Sequence, residues 1–219
     1  MVPCDGIVYD IRMYVPAHFN VTDLQWLDWL AEHDSFGTLV SSVEAEPFAT
    51  HLPVLYTRAG DQVTLTGHWA RPNQQWRSIE AQRVLFVFHG PHTYISPRWY
   101  ANPDQNVPTW NYATAHLYGR VALVEEPVAL ERIVSALADK YEKGAAAPWT
   151  YSSGSGAQRL RGIVGFEMRV DRVELKFKLN QNHSQQSIEG VIAGLSNLAG
   201  DDSRAVLGLM QQISRNSSR

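Results

Sequence analysis

Apolar residues recur along the chain at two periods, and the changes between them mark out the elements. At Thr22 the string Thr-Asp-Leu-Gln has capping-box spacing, and Leu24, Leu27, Leu30 and Ala31 follow at helical intervals, which predicts a helix over Asp23–Glu32. Five segments rich in β-branched and aromatic residues then follow between turn formers: Phe36–Val43, Phe48–Thr57, Gln62–Trp69, Arg83–His89 and Thr109–Val124. These predict strands. Arg58-Ala59-Gly60-Asp61 supplies a hairpin between the second and third, Pro53 inside the second predicts an edge position or a bulge, and Gly119 is expected to bend the last. Helical spacing returns after Pro127, with Val128, Ile133, Val134, Leu137 and Tyr141 on one face. Gly144–Gln158, rich in Ala, Gly and Ser, predicts a mobile loop; Ile163–Val173 and Val173–Leu179 read as two strands or one long bent strand. Two C-terminal helices are marked by the stripes Ile188, Val191, Ile192, Leu195 and Val206, Leu209, Met210, Ile213. Five to seven closely spaced strands with helices inserted and appended predict a mainly β fold, a closed or partly closed barrel with two C-terminal helices. The strand–helix alternation of a doubly wound sheet is missing, as are the glycine-rich dinucleotide fingerprint and the P-loop.

Composition narrows the setting. A chain of 219 residues with 44% hydrophobic and 19% charged residues is expected to form one globular domain. Apolar runs such as Val84–Phe88 fall far short of the roughly 20 residues of a membrane span. The first dozen residues carry Asp5, Asp10 and Arg12 without an apolar stretch, and Cys4 is the single cysteine; a cytoplasmic location is expected. The net charge is −3 and no basic run exceeds two residues, which speaks against direct DNA binding through phosphate neutralisation. Ten of the aromatic residues and four of the eight histidines fall between Thr66 and Tyr118, a window with only six charged side chains. That window is expected to be both buried and polar.

Four strings there and downstream carry candidate chemistry. In Gly67-His68-Trp69-Ala70-Arg71-Pro72-Asn73-Gln74-Gln75-Trp76, a strand ends and a polar turn begins. Arg71 beside backbone N–H groups suits a phosphate dianion; the same string also reads as a capped surface turn. Phe88–Tyr100 packs His89, His92, two prolines and three aromatics after its first residue into a stiff segment suited to walling a flat heteroaromatic ring. No third ligand at a recognisable spacing completes a metal set with these histidines, and no metal is expected. Thr109–Arg120 splits by alternation into a face of Trp110, Tyr112, Thr114, His116, Tyr118 and Arg120 and a face of Asn111, Ala113, Ala115, Leu117 and Gly119. It is either a strand between core and solvent or the wall of a subunit interface or ligand cleft. Lys176-Phe177-Lys178-Leu179-Asn180-Gln181-Asn182-His183 sets two lysines on one strand face, followed by three amides. Patterns for serine, zinc and cysteine hydrolases are missing, so no catalytic residue is assigned.

Taken in order, Pro47–Pro53, Gly67–Trp76, His89–Tyr100 with Val107–Tyr112, and Gly162–Phe166 with Lys176–Asn182 resemble the PaiB-type family of FMN-binding negative transcriptional regulators. The resemblance runs from Met13-Tyr14-Val15-Pro16 to about Met210, leaving 1–12 as an N-terminal extension and 13–219 as the domain. It implies a split β-barrel of the pyridoxamine-phosphate-oxidase type, a homodimer with FMN in clefts between subunits. It also implies Arg71 as the phosphate ligand, with His68, Trp69, Ala70 and Asn73 around it, then Thr50 and His51, Trp110 and Asn111, and Lys178 with Gln181. Pro72, Gln74 and Asn180 depart from the family's more usual residues without removing a charged donor. Three functions are consistent with these strings: a flavin-binding regulator, acting directly or through a partner; an FMN oxidoreductase of an unidentified small molecule; and a haem-binding split barrel, using His51, His89, His92 or His116 as axial ligand.

Overall fold

The computed structural model describes residues 12–150 and 159–217. Eight strands form one antiparallel sheet: β1 (Asn20–Val21), β2 (Phe36–Val43), β3 (Glu46–Pro53), β4 (Leu55–Ala59), β5 (Gln62–Ala70), β6 (Val84–Ile95), β7 (Thr109–Val124) and β8 (Ile163–Lys178). The helices are α1 (Gln25–His33), α2 (Pro127–Glu142), α3 (Gln185–Ser196) and α4 (Asp201–Ser217).

The strand order is β3-β2-β6-β7-β8-β5-β4, with β1 added on β8. Its two ends are consecutive in sequence, and Val54 alone separates Pro53 from Leu55. One residue cannot span a flat sheet of this width, so the sheet curls until its edges adjoin and forms a barrel. Gly67 marks the approach across that seam. A Cβ there would lie 3.1 Å from the Pro53 carbonyl oxygen and 2.9 Å from the Phe166 ring, closer than packing allows.

Alternation along the strands fills the interior. Leu39, Leu65, Trp69, Phe86, Phe88, Leu117, Phe166 and Phe177 are buried, each large side chain contributing about 1.5–3 kcal/mol. Leu27 and Leu30 of α1, Val191 and Leu195 of α3, and Val206, Leu209 and Met210 of α4 join the same core. The C-terminal helices thus spend their apolar stripes on the barrel.

Several elements differ from their sequence-based expectation. The expected strand Phe48–Thr57 is two strands at opposite ends of the sheet order, because the chain turns at Val54. The expected strand Arg83–His89 runs on to Ile95, and a register shift between His89 and His92 absorbs Gly90 and Pro91 as a bulge. Much of the stiff aromatic segment is therefore strand. Residues 163–178 are one 16-residue strand, and β7 has the expected bounds, with a register shift against β8 at Tyr118/Gly119. There a Gly119 side chain would collide with the Arg169 carbonyl, at 2.1 Å. The α1 capping box does not form; Asp23 Oδ1 instead accepts from the Gln25 N–H at 2.9 Å. Cys4, nearly all of the 1–12 extension and residues 151–158 of the expected loop lie outside the described residues.

Candidate flavin site

Along β5, Gly67 and Trp69 point inward, while His68 and Ala70 point outward. Trp69 is in the core, its Nε1 donating to Gln75 Oε1 at 3.0 Å, so it leaves only its backbone for a ligand. Gln75 is fully buried, and its Nε2 donates to the Leu39 carbonyl at 3.0 Å and to Ser41 Oγ at 2.9 Å, with a longer contact to the Phe48 carbonyl at 3.3 Å. One amide ties β5 to β2 and β3. Asn73 Oδ1 accepts from the Gln75 N–H at 2.9 Å, and its Nδ2 donates to Thr50 Oγ1 at 3.0 Å. The polar turn is thereby fixed against β3, and the bond brings Thr50 and Asn73 together.

Arg71 leaves this turn toward the start of β8. Its N–H donates to the Gly162 carbonyl at 2.7 Å, Nε to the Arg161 carbonyl at 2.8 Å and Nη2 to the Ile163 carbonyl at 2.9 Å. Nη1 donates to Glu125 Oε2 at 3.0 Å, and the guanidinium lies 5.9 Å from the Trp76 ring centroid. A guanidinium has five N–H donors; three are committed here and two, one on each terminal nitrogen, remain. The side chain is 38% exposed and borders a cavity of about 420 Å³ lined also by Glu125, Pro127, Leu130, Leu160 and Arg161. Arg71 thus clamps the start of β8 and keeps two N–H donors uncommitted beside the cavity.

His51 and Trp110 belong to the outer face of the barrel. Thr38 on β2 sits between two histidines, its Oγ1 2.9 Å from His51 Nδ1 on β3 and 2.8 Å from His89 Nε2 on β6. Beyond His89 is a hollow of about 440 Å³ lined by His89, His92, Trp110, Tyr112, Thr114 and His116, among others. Trp110 is 53% exposed, with Tyr94 edge-on at 6.2 Å and His92 at 6.1 Å between ring centroids. His116 Nδ1 is buried with no hydrogen-bond partner among the described residues. Burial pushes its pKa down, partly opposed by the Glu174 carboxylate. The same holds for His68, whose Nδ1 is also unpartnered and whose pKa burial lowers.

Asn111, Lys178 and Gln181 form a separate group. Asn111 points inward, its Nδ2 donating to Met210 Sδ at 3.4 Å. The Lys178 ammonium donates to Thr109 Oγ1 and, at 2.8 Å, to the Trp110 carbonyl; burial, then Lys176, lowers its pKa. Gln181 is spent on its own turn, accepting from the Leu179 N–H at 2.7 Å and donating to the Phe177 carbonyl. Gln75, Thr38 and Glu125 had no sequence signal as functional residues. Gln75 stood in the right string, but a strand threonine and a loop glutamate reveal their partners only in three dimensions. Among the described residues no group of three or more His, Cys, Asp or Glu is set to hold a metal ion, and no helix is long and apolar enough to cross a membrane.

A curled antiparallel sheet whose edge strands adjoin, with helices packed against it, defines a split β-barrel. Solved structures agree on the fold: the flavocytochrome Anf3 from Azotobacter vinelandii superposes with a TM-score of 0.58 at 15% identity, covering 77% of this chain and 74% of its own. The FAD and heme binding protein from Mycobacterium smegmatis follows at 0.55 and 16%, covering 73% of each chain. The family model described as "Putative FMN-binding domain" matches residues 13–172, and the chain belongs to that family. It is 37% identical over 203 residues to "Protease synthase and sporulation protein PAI 2" of Bacillus subtilis, covering 91% of this chain and 97% of that protein. The protein is an FMN-binding split barrel of the PaiB type.

Proposed function

We propose that the protein holds FMN between two copies of itself. The phosphate meets the two open N–H groups of Arg71, with His68, Ala70 and the Thr50–Asn73 pair beside it. The isoalloxazine ring lies against the outer face of β6 and β7 of the second copy, between Trp110 and the histidines. The observation that carries the reading is β7 itself, which buries Asn111, Ala113, Ala115 and Leu117 while leaving Trp110, Tyr112, His116 and Tyr118 outward and half covered. Aromatic side chains left outward at Trp110, Tyr112 and Tyr118 are costly in water and are removed from it by a ring or a second copy.

The residues fit the group. Phosphate requires N–H donors, which Arg71 has; a flavin ring requires flat walls with a few polar atoms, which Trp110, His89 and the unpartnered His116 Nδ1 supply. Bound FMN supplies hydride or single-electron transfer. The chain's own residues bind the phosphate, orient the ring and, through Thr38, keep His51 and His89 in one hydrogen-bonded line.

A regulatory role, carried over from the resemblance, is proposed to act through the flavin or a partner. The net charge of −3, and an α4 whose Arg204 is paired with Asp201, do not provide a basic reading helix. A cytoplasmic location completes the proposal, in keeping with a single cysteine. The test is one purification. Yellow protein absorbing near about 450 nm, as flavins do, that is dimeric by light scattering supports the proposal. Colourless protein that takes up no FMN, or a fully flavinylated monomer, overturns it, and a Soret band would replace it with the haem reading.

A further inference from the structure

The cavity of about 420 Å³ beside Arg71 is larger than one phosphate group needs; it falls in the range of about 300–1,000 Å³ that whole small ligands fill. It lies where the end of β5, the start of α2 and the turn before β8 meet. Of the residues assigned to FMN, only Arg71 lines it. His68, Ala70, Thr50 and Asn73 do not, so a flavin phosphate at Arg71 leaves most of this volume unfilled.

The walls divide by chemistry. Pro127, Leu130 and Leu160 are apolar, whereas Arg71, Arg161 and Glu125 are charged. Arg71 keeps two N–H donors after its bonds to Glu125 and to the Arg161 and Ile163 carbonyls. Arg161 is exposed, and its guanidinium is committed to no hydrogen bond or ion pair among the described residues. Glu125 gives Oε2 to Arg71 and keeps Oε1 as an acceptor. The N–H groups that open α2 are already used, because Glu126 accepts from Val128 and Ala129 at 3.0 and 2.7 Å. Anion binding at this cavity therefore rests on two arginines.

We infer that this cavity takes a second phosphate and a nucleoside, so that the flavin held at Arg71 is the dinucleotide FAD, with FMN as its inner half. The pyrophosphate bridges Arg71 and Arg161, whose two guanidinium groups offset its two charges. The adenine ring lies against the apolar wall of Pro127, Leu130 and Leu160, and a ribose hydroxyl donates to Glu125 Oε1. A free phosphate would use the arginines but leave that apolar wall in water. The inference rests on the Arg71 assignment made above and adds to it which flavin the site prefers.

The test is calorimetric titration of the full chain, freed of bound flavin, with FMN, FAD and inorganic phosphate. FAD should bind at least about tenfold more tightly than FMN, the gain of one charge-assisted bond and a covered apolar wall, and phosphate more weakly than either. Arg161→Ala keeps the backbone carbonyl that Arg71 holds; it should weaken FAD at least about fivefold and change FMN less than about twofold. Pro127→Glu, tolerated in the first turn of a helix, sets a carboxylate on the apolar wall and should likewise weaken FAD alone. FMN binding as tightly as FAD, or Arg161→Ala weakening both flavins equally, overturns the inference and leaves FMN at Arg71 standing. Binding of neither flavin overturns it together with the Arg71 assignment.

Discussion

Replacing Arg71 with alanine separates clamp from ligand. The substitution removes two charge-assisted bonds to the Arg161 and Ile163 carbonyls, worth about 1 kcal/mol each at a partly exposed site. The Glu125 pair, with side chains 38% and 52% exposed, adds only about 0.5 kcal/mol, and the contact with Trp76 about 0.5 kcal/mol. Water partly replaces these bonds, so Arg71→Ala should destabilise the fold by about 2–3 kcal/mol. For a chain of this length that lowers Tm by about 4–12 °C in a thermal melt. FMN affinity, followed by flavin fluorescence at a temperature where the variant is folded, should fall about 10- to 100-fold, for about 1.4–2.8 kcal/mol. Glu125→Gln is the sharper control. It removes a negative charge beside the proposed phosphate while keeping an acceptor for Nη1, so affinity should hold or rise. An unchanged Tm in Arg71→Ala would refute the clamp. Unchanged FMN affinity in the folded variant, or a tenfold loss in Glu125→Gln, would refute the phosphate assignment.

Two further outcomes follow from buried polar groups. Gln75→Leu keeps volume but strands the Trp69 N–H and the carbonyls of Leu39 and Phe48; a denaturant titration should show a loss of about 3 kcal/mol, and a loss below about 1 kcal/mol would mean that water reaches the hub. His68 and His116 both have pKa values lowered by burial, so on acidification the unfolded chain takes up protons first. Stability should be full above about pH 6.5, the unfolded histidine value, and fall as the pH drops below it. The fall should be shallower in a His68→Gln, His116→Gln double variant, and identical slopes in the two proteins would exclude these histidines as its source.

The sequence showed best what depends on local pattern. β7 and the stripes of α3 and α4 were readable because period 2 and period 3.6 persist over many residues. The break at Val54 was not, because Pro53 fits an edge position or a bulge within one strand over Phe48–Thr57, and only the closure of the barrel requires the chain to turn there. The extension of β6 past His89 was hidden by Gly90 and Pro91, which punctuate a loop in isolation but form a bulge when β7 pairs on both sides of them. At the site, residue types pointed to Arg71, and the resemblance added Asn73 and Thr50. They could not show that Arg71 spends three donors on its own protein, since Arg161, Ile163 and Glu125 come from distant parts of the chain. The fold divides the Lys176–His183 string. Gln181 turns back on its own backbone while Lys178 and Asn180 face a cavity completed by Tyr100 and Asn111.

Thr38 imposes a selection rule on its neighbours. Its oxygen can give away one hydrogen and receive two, so of the four ways to place hydrogens on His51 Nδ1 and His89 Nε2, the one with both nitrogens bare leaves a contact unmade. A tautomer chosen at the edge strand β3 therefore constrains the tautomer at β6, two strands away, with no movement of the backbone. The barrel wall, whose ladder bonds otherwise only fasten neighbouring strands, carries at this one point a message across them.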